Sequence, residues 1–366
     1  MGEEFTIDDM GYGPFFEAGK KQLNLDGFPV ARVISESRGS YKVKNTGGEY
    51  LAKVTGRQMF SASSREDYPA VGDWVAIEEL AEGQAVIRSL LPRRTVIKRK
   101  FGDKNRAGEK NGVQIIAANI DAALAVESVD RDYNLNRFER YFAIARDGGV
   151  QSAIVLNKID LLSEEELKEK ISELTSRFPG IDIVPTSTVS DAGLDALRRY
   201  IVKGKTYGFL GSSGVGKSSL INKLIGGSVI KTGDISSYSG RGKHVTTMRQ
   251  MYFLKSGGIV IDNPGMREVG MAEAGRGVDA IFDEITALAE SCRYADCTHA
   301  REPGCAVLEA VRSGKLDEEK YLNYLNLKKE SEYANLDDFE KREKDRRFGK
   351  FIKRAKKELK NAGRKN

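Results

Sequence analysis

Residues 211–218 read Gly-Ser-Ser-Gly-Val-Gly-Lys-Ser, a complete GxxxxGK[ST] loop set between the apolar Tyr207–Leu210 and a helical pattern over Lys217–Ile225. Strand, loop and helix in that order are the context in which this pattern wraps phosphates. The glycines let backbone N–H groups face phosphate oxygens, and the helix N-terminus adds its dipole. Outward from the loop, Asn157-Lys158-Ile159-Asp160 fits NKxD and follows the apolar run Val150–Leu156. An aspartate at position 160 can accept from guanine N1–H and from the 2-amino group; adenine offers neither donor. Chains that use both motifs ordinarily carry NKxD after the phosphate loop, and here it comes before. The order predicts a guanine-nucleotide site in a circularly permuted α/β domain.

The remaining parts of such a site can be placed. Asp262-Asn263-Pro264-Gly265 ends the apolar strand Gly258–Ile261 and fits DxxG. In that role Asp262 holds magnesium through water, and the Gly265 N–H meets the γ-phosphate. Ser218 is the other magnesium ligand on this side, and Lys217 reaches the β- and γ-phosphates. The Gly-rich segment Gly240–Thr247 offers Thr246 or Thr247 as the switch I ligand, and His244, one of two histidines, as a group that could position water. A surface histidine or a phosphate contact is the competing reading of His244. Met266 follows Gly265 where a glutamine would orient the attacking water, so unaided hydrolysis is expected to be slow. Nucleotide contacts are expected from Gly211, Ser212, Ser213, Gly214, Val215, Gly216, Lys217, Ser218 and Ser219, with Asn157, Lys158, Asp160 and Ser187 around the base and Thr246, Asp262 and Gly265 at the γ-phosphate. Catalysis would draw on Lys217, Thr247 and His244.

With 366 residues and 40% hydrophobic content the chain can build two or three cored domains. Residues 28–98 alternate in short segments: Ala31–Ser35, Ser40–Lys44, Glu49–Val54, Pro69–Ile77 and Gln84–Arg88 read as strands, with Thr46-Gly47-Gly48 as a hairpin turn. Five short strands suggest a closed, OB-like barrel of the kind that binds RNA, with a scaffold role as the alternative. The first 25 residues show little periodicity and are expected to hold on loosely. A basic, Gly-rich stretch ending at Gly112 is expected to be a linker. Strands and helices then alternate over 113–275, with a Ser163/Glu166 capping box opening a helix to Arg177. Residues 276–366 turn helical. The longest apolar stretch, Gln114–Val126, is broken by Asn119 and Asp121, and the acidic N-terminus carries no export pattern. A cytoplasmic protein, monomeric and without a membrane partner, is expected.

All three cysteines lie between Cys292 and Cys305, spaced Cys292-x4-Cys297-x-His299-x5-Cys305. Three thiolates and one imidazole in a short loop suit a closed tetrahedral zinc site, structural because no position is left open. Beyond it, from Lys341, 13 Lys/Arg stand against 3 Asp/Glu in a chain of net charge +6. Phe351, Ala355 and Leu359 recur every four residues on that basic segment. A nucleic-acid backbone is favoured as its partner over acidic lipid.

The order NKxD, GSSGVGKSS, GRGKHVTT, DNPGMRE and the Cys3His spacing resemble the circularly permuted GTPases of the ribosome-small-subunit-dependent GTPase A (RsgA/YjeQ) family, over about residues 28–320. The resemblance implies an N-terminal OB-like barrel, a permuted P-loop GTPase domain and a C-terminal helical zinc-binding domain. It implies GTP and GDP with Mg2+ as ligands, one structural Zn2+, and hydrolysis of GTP stimulated by the small (30S) ribosomal subunit during its late maturation, with contacts to rRNA. Asn263, where Ser or Thr is more usual, and the long basic tail depart from the family pattern. An RNA-binding assembly factor that uses GTP mainly as a conformational ligand is the alternative.

Overall fold

Short strands with inward-facing β-branched and aromatic residues begin the chain's ordered core. The computed structural model describes residues 5–37, 39–56, 62, 64–101, 112–130, 133–230, 249–262, 275–300 and 302–335. The strands β1 (Val30–Ser37), β2 (Ser40–Asn45), β3 (Gly48–Val54), β4 (Trp74–Glu79) and β5 (Gln84–Leu90) hydrogen-bond in the order β1-β2-β3-β5-β4, and β4 returns to β1 at Val30↔Ala76. Closure removes both sheet edges. Val33, Tyr41, Val43, Val75, Ile77 and Ile87 fill the interior. The β2–β3 turn is fixed by the Asn45 side chain, whose Oδ1 accepts from the N–H groups of Gly47 (2.8 Å) and Gly48 (3.1 Å). Pro69–Asp73, expected to be strand, is instead a turn that precedes β4, with Asp73 Oδ2 accepting from Ala70 N–H at 2.7 Å.

The N-terminal segment does not hang loosely. Helix α1 (Pro14–Gln22) starts with proline at its first turn and lays Phe16 against the barrel's outer wall. Met10, Phe16, Leu25 and Trp74 form one buried cluster, with the Tyr12 ring 4.9 Å from the Trp74 ring in an edge contact. Each such side chain contributes about 2–3 kcal/mol by burial. The expectation failed because the apolar partner, Trp74, lies some sixty residues along the chain, beyond any local periodicity.

The stretch expected to be a linker is bounded by strand on both sides: β6 (Val96–Phe101) and β7 (Gly112–Ala118) pair antiparallel, with residues 102–111 outside the described set. The α/β unit follows: β8 (Ala122–Ser128), α2 (Leu135–Asp147), β9 (Gln151–Asn157), α3 (Glu164–Arg177), β10 (Asp182–Thr186), α4 (Leu194–Tyr200), β11 (Thr206–Leu210), α5 (Lys217–Ile225), β12 (Gln250–Phe253) and β13 (Ile259–Asp262). Its strands run in the order β10-β9-β8-β11-β13-β12, parallel except for β12. Helices on both faces cover the near-continuous apolar strands. Ser163 and Glu166 make the capping box at the head of α3. The sheet does not stop at β12, because Gln250 pairs with Ser35 of the barrel and joins both sheets into one.

After β13 the chain is helical among the described residues: α6 (Gly275–Ile281), α7 (Asp283–Ala289), α8 (Ala306–Arg312) and α9 (Glu318–Asn335). This module packs on α2. Gly277 allows the approach, since a Cβ there would lie 2.1 Å from the Ala143 carbonyl oxygen. Arg140 grips Glu330 at 2.8 and 2.7 Å, and Arg177 bridges Glu139 (2.8 Å) and Asp317 (2.7 Å).

Arg32 holds the units together. Its buried guanidinium donates to the carbonyls of Met10, Gly72 (3.3 Å) and Asn119 (3.1 Å) and to Thr206 Oγ1 (2.8 Å), one group from each surrounding segment. Burial lowers its pKa to about 10, so it stays protonated at neutral pH. Arg32→Ala should cost about 3–5 kcal/mol by orphaning these acceptors, and Arg32→Lys should recover little because an ammonium cannot span them. Urea unfolding of both variants measures this; a midpoint for Arg32→Ala equal to the parent's would refute it.

Candidate functional site

The phosphate loop leaves the buried end of β11 and enters α5 with Gly211, Gly214 and Gly216 all at positive φ (151°, 87° and 98°). Two of them are also sterically required. A Cβ at 211 would lie 2.3 Å from the Val126 carbonyl oxygen, and one at 216 would lie 2.3 Å from Asn157 Nδ2. Lys217 Nζ donates to the carbonyls of Gly211 (2.8 Å) and Ser212 (2.6 Å), closing the loop on itself. Burial lowers its pKa to about 8, opposed by the Asp262 and Glu127 carboxylates. Ser213 and Gly214 are exposed at the tip, whereas Val215 is buried.

NKxD comes to the same edge from the end of β9. Asn157 is fully buried; its Nδ2 donates to the Val215 carbonyl (2.8 Å) and its Oδ1 accepts from Thr186 Oγ1 (3.1 Å). Asparagine here clamps the phosphate loop to the strand that follows it in space. Lys158 takes a left-handed backbone (φ 64°) that turns the chain, and its Nζ pairs with Asp130 at 2.6 Å. Asp160 is exposed, and its Oδ1 accepts from the Ser187 hydroxyl. Ser187 Oγ in turn accepts from Val189 N–H and Ser190 N–H, both at 3.1 Å, so the loop after β10 is anchored on it.

Asp262 ends β13 beside Lys217 and Ser218, both of which oppose the rise in its pKa that burial causes. Burial raises its pKa, and its buried Oδ1 has no partner among the described residues. A buried carboxylate oxygen beside a serine hydroxyl and the phosphate loop is an oxygen-only donor set suited to magnesium. Of the other sequence candidates, Ser212 and Ser219 sit on the loop and the first turn of α5, while His244, Thr246, Thr247, Gly265 and Met266 lie outside the described residues. Two residues at this edge, Asp130 and Tyr141, carried no signal in the sequence. Asp130 pairs with Lys158, and Tyr141 of α2 stands close enough to Ser212 for that side chain to act on its hydroxyl. Thr186, which holds Asn157, belongs to the stretch Thr186-Ser187-Thr188 at the strand end that the sequence places beside the base.

The second constellation lies between α7 and α8. The ligand atoms of Cys292, Cys297, His299 and Cys305 all fall within 4.8 Å of one another. Cys292 and Cys305 Sγ are 3.8 Å apart with both thiols free, and each lies 3.6 Å from His299 Nδ1. A tetrahedral ion about 2.3 Å from sulfur and about 2.0 Å from nitrogen sets edges of about 3.8 Å between sulfurs and about 3.5 Å from sulfur to nitrogen. The spacing therefore fits zinc. Backbone donors at the head of α8 support the sulfurs, with Leu308 N–H on Cys305 Sγ at 3.4 Å. Tyr321 OH donates to the His299 carbonyl at 2.8 Å, tying the cluster to α9.

The chain is similar to known proteins over most of its length. The family described as RsgA GTPase matches residues 90–272. The chain is 40% identical over 331 residues to "Small ribosomal subunit biogenesis GTPase RsgA 2" of Lactiplantibacillus plantarum, covering 90% of this chain and 91% of that protein. The crystal structure of YjeQ from Thermotoga maritima superposes with a TM-score of 0.60 at 27% identity, over 82% of this chain and 98% of that one. YloQ, described as a circularly permuted GTPase, shares the fold with a TM-score of 0.57 at 22% identity, over 84% and 96% of the two chains.

The cysteine geometry leads to a direct measurement. Purified protein should carry about one zinc per chain by elemental analysis. Chelation, or Cys305→Ser, should remove the metal and lower the melting temperature. A metal-free preparation with an unchanged melting curve would sink the assignment.

Proposed function

This chain belongs to the RsgA GTPase family, and we propose that it hydrolyses GTP during late maturation of the small (30S) ribosomal subunit, stimulated by that subunit. The observation that carries the reading is the interlock of the phosphate loop with NKxD. Asn157 binds the Val215 carbonyl, and Gly216 leaves it room to do so. Base and phosphate recognition are thereby held in one rigid frame. The relative from L. plantarum is named for small-subunit biogenesis, which supports the partner.

In this reading Asp160 accepts from guanine N1–H and the 2-amino group, Ser187 keeps that carboxylate aimed, and Lys158 lies along the ring. The N–H groups of Gly211–Ser219 receive the phosphates, and Lys217 moves from the loop carbonyls to the β- and γ-oxygens. Transfer of that ammonium to phosphate reverses the burial penalty that lowers its pKa. Ser218 and Asp262 hold Mg2+, which when bound neutralises charge developing between the β- and γ-phosphates. Thr246 or Thr247 and Gly265 close on the γ-phosphate, and His244 positions water in place of the glutamine that Met266 replaces. One Zn2+ holds the Cys292, Cys297, His299 and Cys305 loop together as a structural ion. The barrel (28–98), guanine domain (113–275) and helical module with its basic tail (276–366) divide the work between RNA contact and nucleotide sensing. The setting is the cytoplasm and the acting form a monomer; no described helix is long and apolar enough to cross a membrane.

Met266 favours a second reading, in which GTP is chiefly a conformational ligand of an RNA-binding factor. Phosphate release with and without purified small subunits separates the two. Stimulation supports an enzyme timed by the subunit, its absence leaves the ligand reading, and His244→Ala should abolish most of any stimulation. The base assignment has its own measurement. Asp160→Asn replaces an acceptor by an amide donor, so GTP affinity should fall about 100-fold or more while xanthosine triphosphate, which carries a carbonyl at C2, gains. Unchanged GTP binding by this variant would overturn the role given to Asp160.

A further inference from the structure

We infer that the cavity between the guanine domain and the helical module is a binding site for a neutral ligand with an apolar body and one carbonyl acceptor. The cavity measures about 410 Å³. Its walls are α2, the start of β9 and the end of α3 on one side, and α6, α7 and Lys320 of α9 on the other. Ligand pockets run to roughly 300–1,000 Å³ and recur at seams between two units. Phe142 and Phe178, which line it, are buried and pack edge to face with ring centres 5.2 Å apart. Val150, Ile181 and Ile281 extend the apolar lining.

Arg177 supplies the polar end of this lining. Its Nε donates to Glu139 Oε1 at 2.8 Å and its Nη1 to Asp317 Oδ1 at 2.7 Å, whereas its buried Nη2 has no acceptor among the described residues. With two nitrogens held, the planar guanidinium is fixed and cannot turn Nη2 toward another partner. An acceptor has to come to it. Ser152 and Ser176 bring hydroxyls to the same wall that can donate to a ligand or accept from it. The charges decide what kind of acceptor fits. Arg146, Arg177 and Lys320 stand against Asp283 and Glu284 on the wall and against Glu139 and Asp317 on Arg177 itself. Lys320 is already paired with Glu284 at 3.1 Å. Cations do not outnumber carboxylates in this set, so the wall does not favour a phosphate. A charged oxygen at Nη2 would also be repelled by the two carboxylates on the same guanidinium. A neutral carbonyl escapes that repulsion and still accepts. Because both units supply the walls, such a ligand binds the docked arrangement and stabilises it.

The same chemistry is available from a free small molecule or from an apolar side chain with its backbone carbonyl. The test uses the full chain saturated with GDP and Mg2+, so that the nucleotide edge is filled. 4-Phenylbutanamide, 4-phenylbutyrate and a capped pentapeptide with one phenylalanine among alanines are titrated by ligand-detected NMR. The amide should bind about tenfold more tightly than the acid, which has the same body and a charged oxygen pair. Ala280→Trp, which places an indole at an exposed position on the cavity wall, should weaken binding about tenfold. Arg177→Lys keeps the charge but removes Nη2, and should erase the preference for amide over acid. Tighter binding of the amide than of the pentapeptide assigns a free small molecule, and the reverse order assigns a protein segment. The site is overturned by a parent chain that binds neither, by an acid that binds as tightly as the amide, or by Ala280→Trp with unchanged affinity. Should Arg177→Lys unfold, Ala280→Trp and the amide-to-acid ratio of the parent decide. None of these titrations uses hydrolysis or the small subunit, so this inference and the proposed function fail separately.

Discussion

Glycine at position 216 is the constraint from which the nucleotide edge follows. Any side chain there would meet Asn157 Nδ2 at 2.3 Å, at a backbone φ of 98° that only glycine adopts freely. Because the space is left open, Asn157 can reach the Val215 carbonyl, and β9, β11 and the head of α5 become one unit. The contact is indifferent to which segment comes first in the chain. It requires only that the two strand ends lie on either flank of β8 at the same edge, which the order β9-β8-β11 provides. Permutation therefore leaves the site intact and changes only what is attached to it.

What it changes is the exits. Among the described residues β13 is the last strand of the sheet in chain order, and the helical module that carries the cysteines follows it in sequence. β12 is the antiparallel edge strand, and it meets the barrel through Gln250↔Ser35. Asp262 thus has a covalent path to the zinc-type cluster and a hydrogen-bonded path to the barrel. A sheet ladder transmits register with little slack, since slipping by one residue would turn every side chain to the wrong face. Movement that re-sets the β12–β13 edge would accordingly be felt in both flanking units.

The parts legible in the sequence are those whose physics is local. The loop 211–218 and the helix Lys217–Ile225 lie where their pattern put them, as does the α3 capping box, because glycine dihedrals and end-capping are decided within a few residues. The four zinc-type ligands were legible for the same reason, being confined to one loop. The first turn of the misreading came at α1, whose apolar face has meaning only against Trp74. The hairpin β6–β7 was hidden because its basic residues resemble a solvated linker until Val96 and Ile97 find Ala118 and Ala117 across it. Around the site, Asp130 and Tyr141 escaped notice because their value lies in reaching Lys158 and Ser212 from other elements. Pairing across sequence distance leaves no periodic trace.

Arginine shows the same division between local and distant information, and it separates structure from function within one residue type. Arg32 and Arg249 are both held in low-dielectric surroundings, and burial lowers the pKa of each. Arg32 has an acceptor on every side, three backbone carbonyls and a hydroxyl, so its charge is spent inside the fold. Among the described residues, Arg249 shares one amide oxygen with Arg99 and reaches a carboxylate only at 3.9 Å. A buried donor with its acceptors complete stabilises a single arrangement, whereas one with acceptors missing stays responsive to whatever supplies them. The first kind of arginine rivets the barrel to the guanine domain. The second kind stands one residue before β12, where that strand meets the barrel.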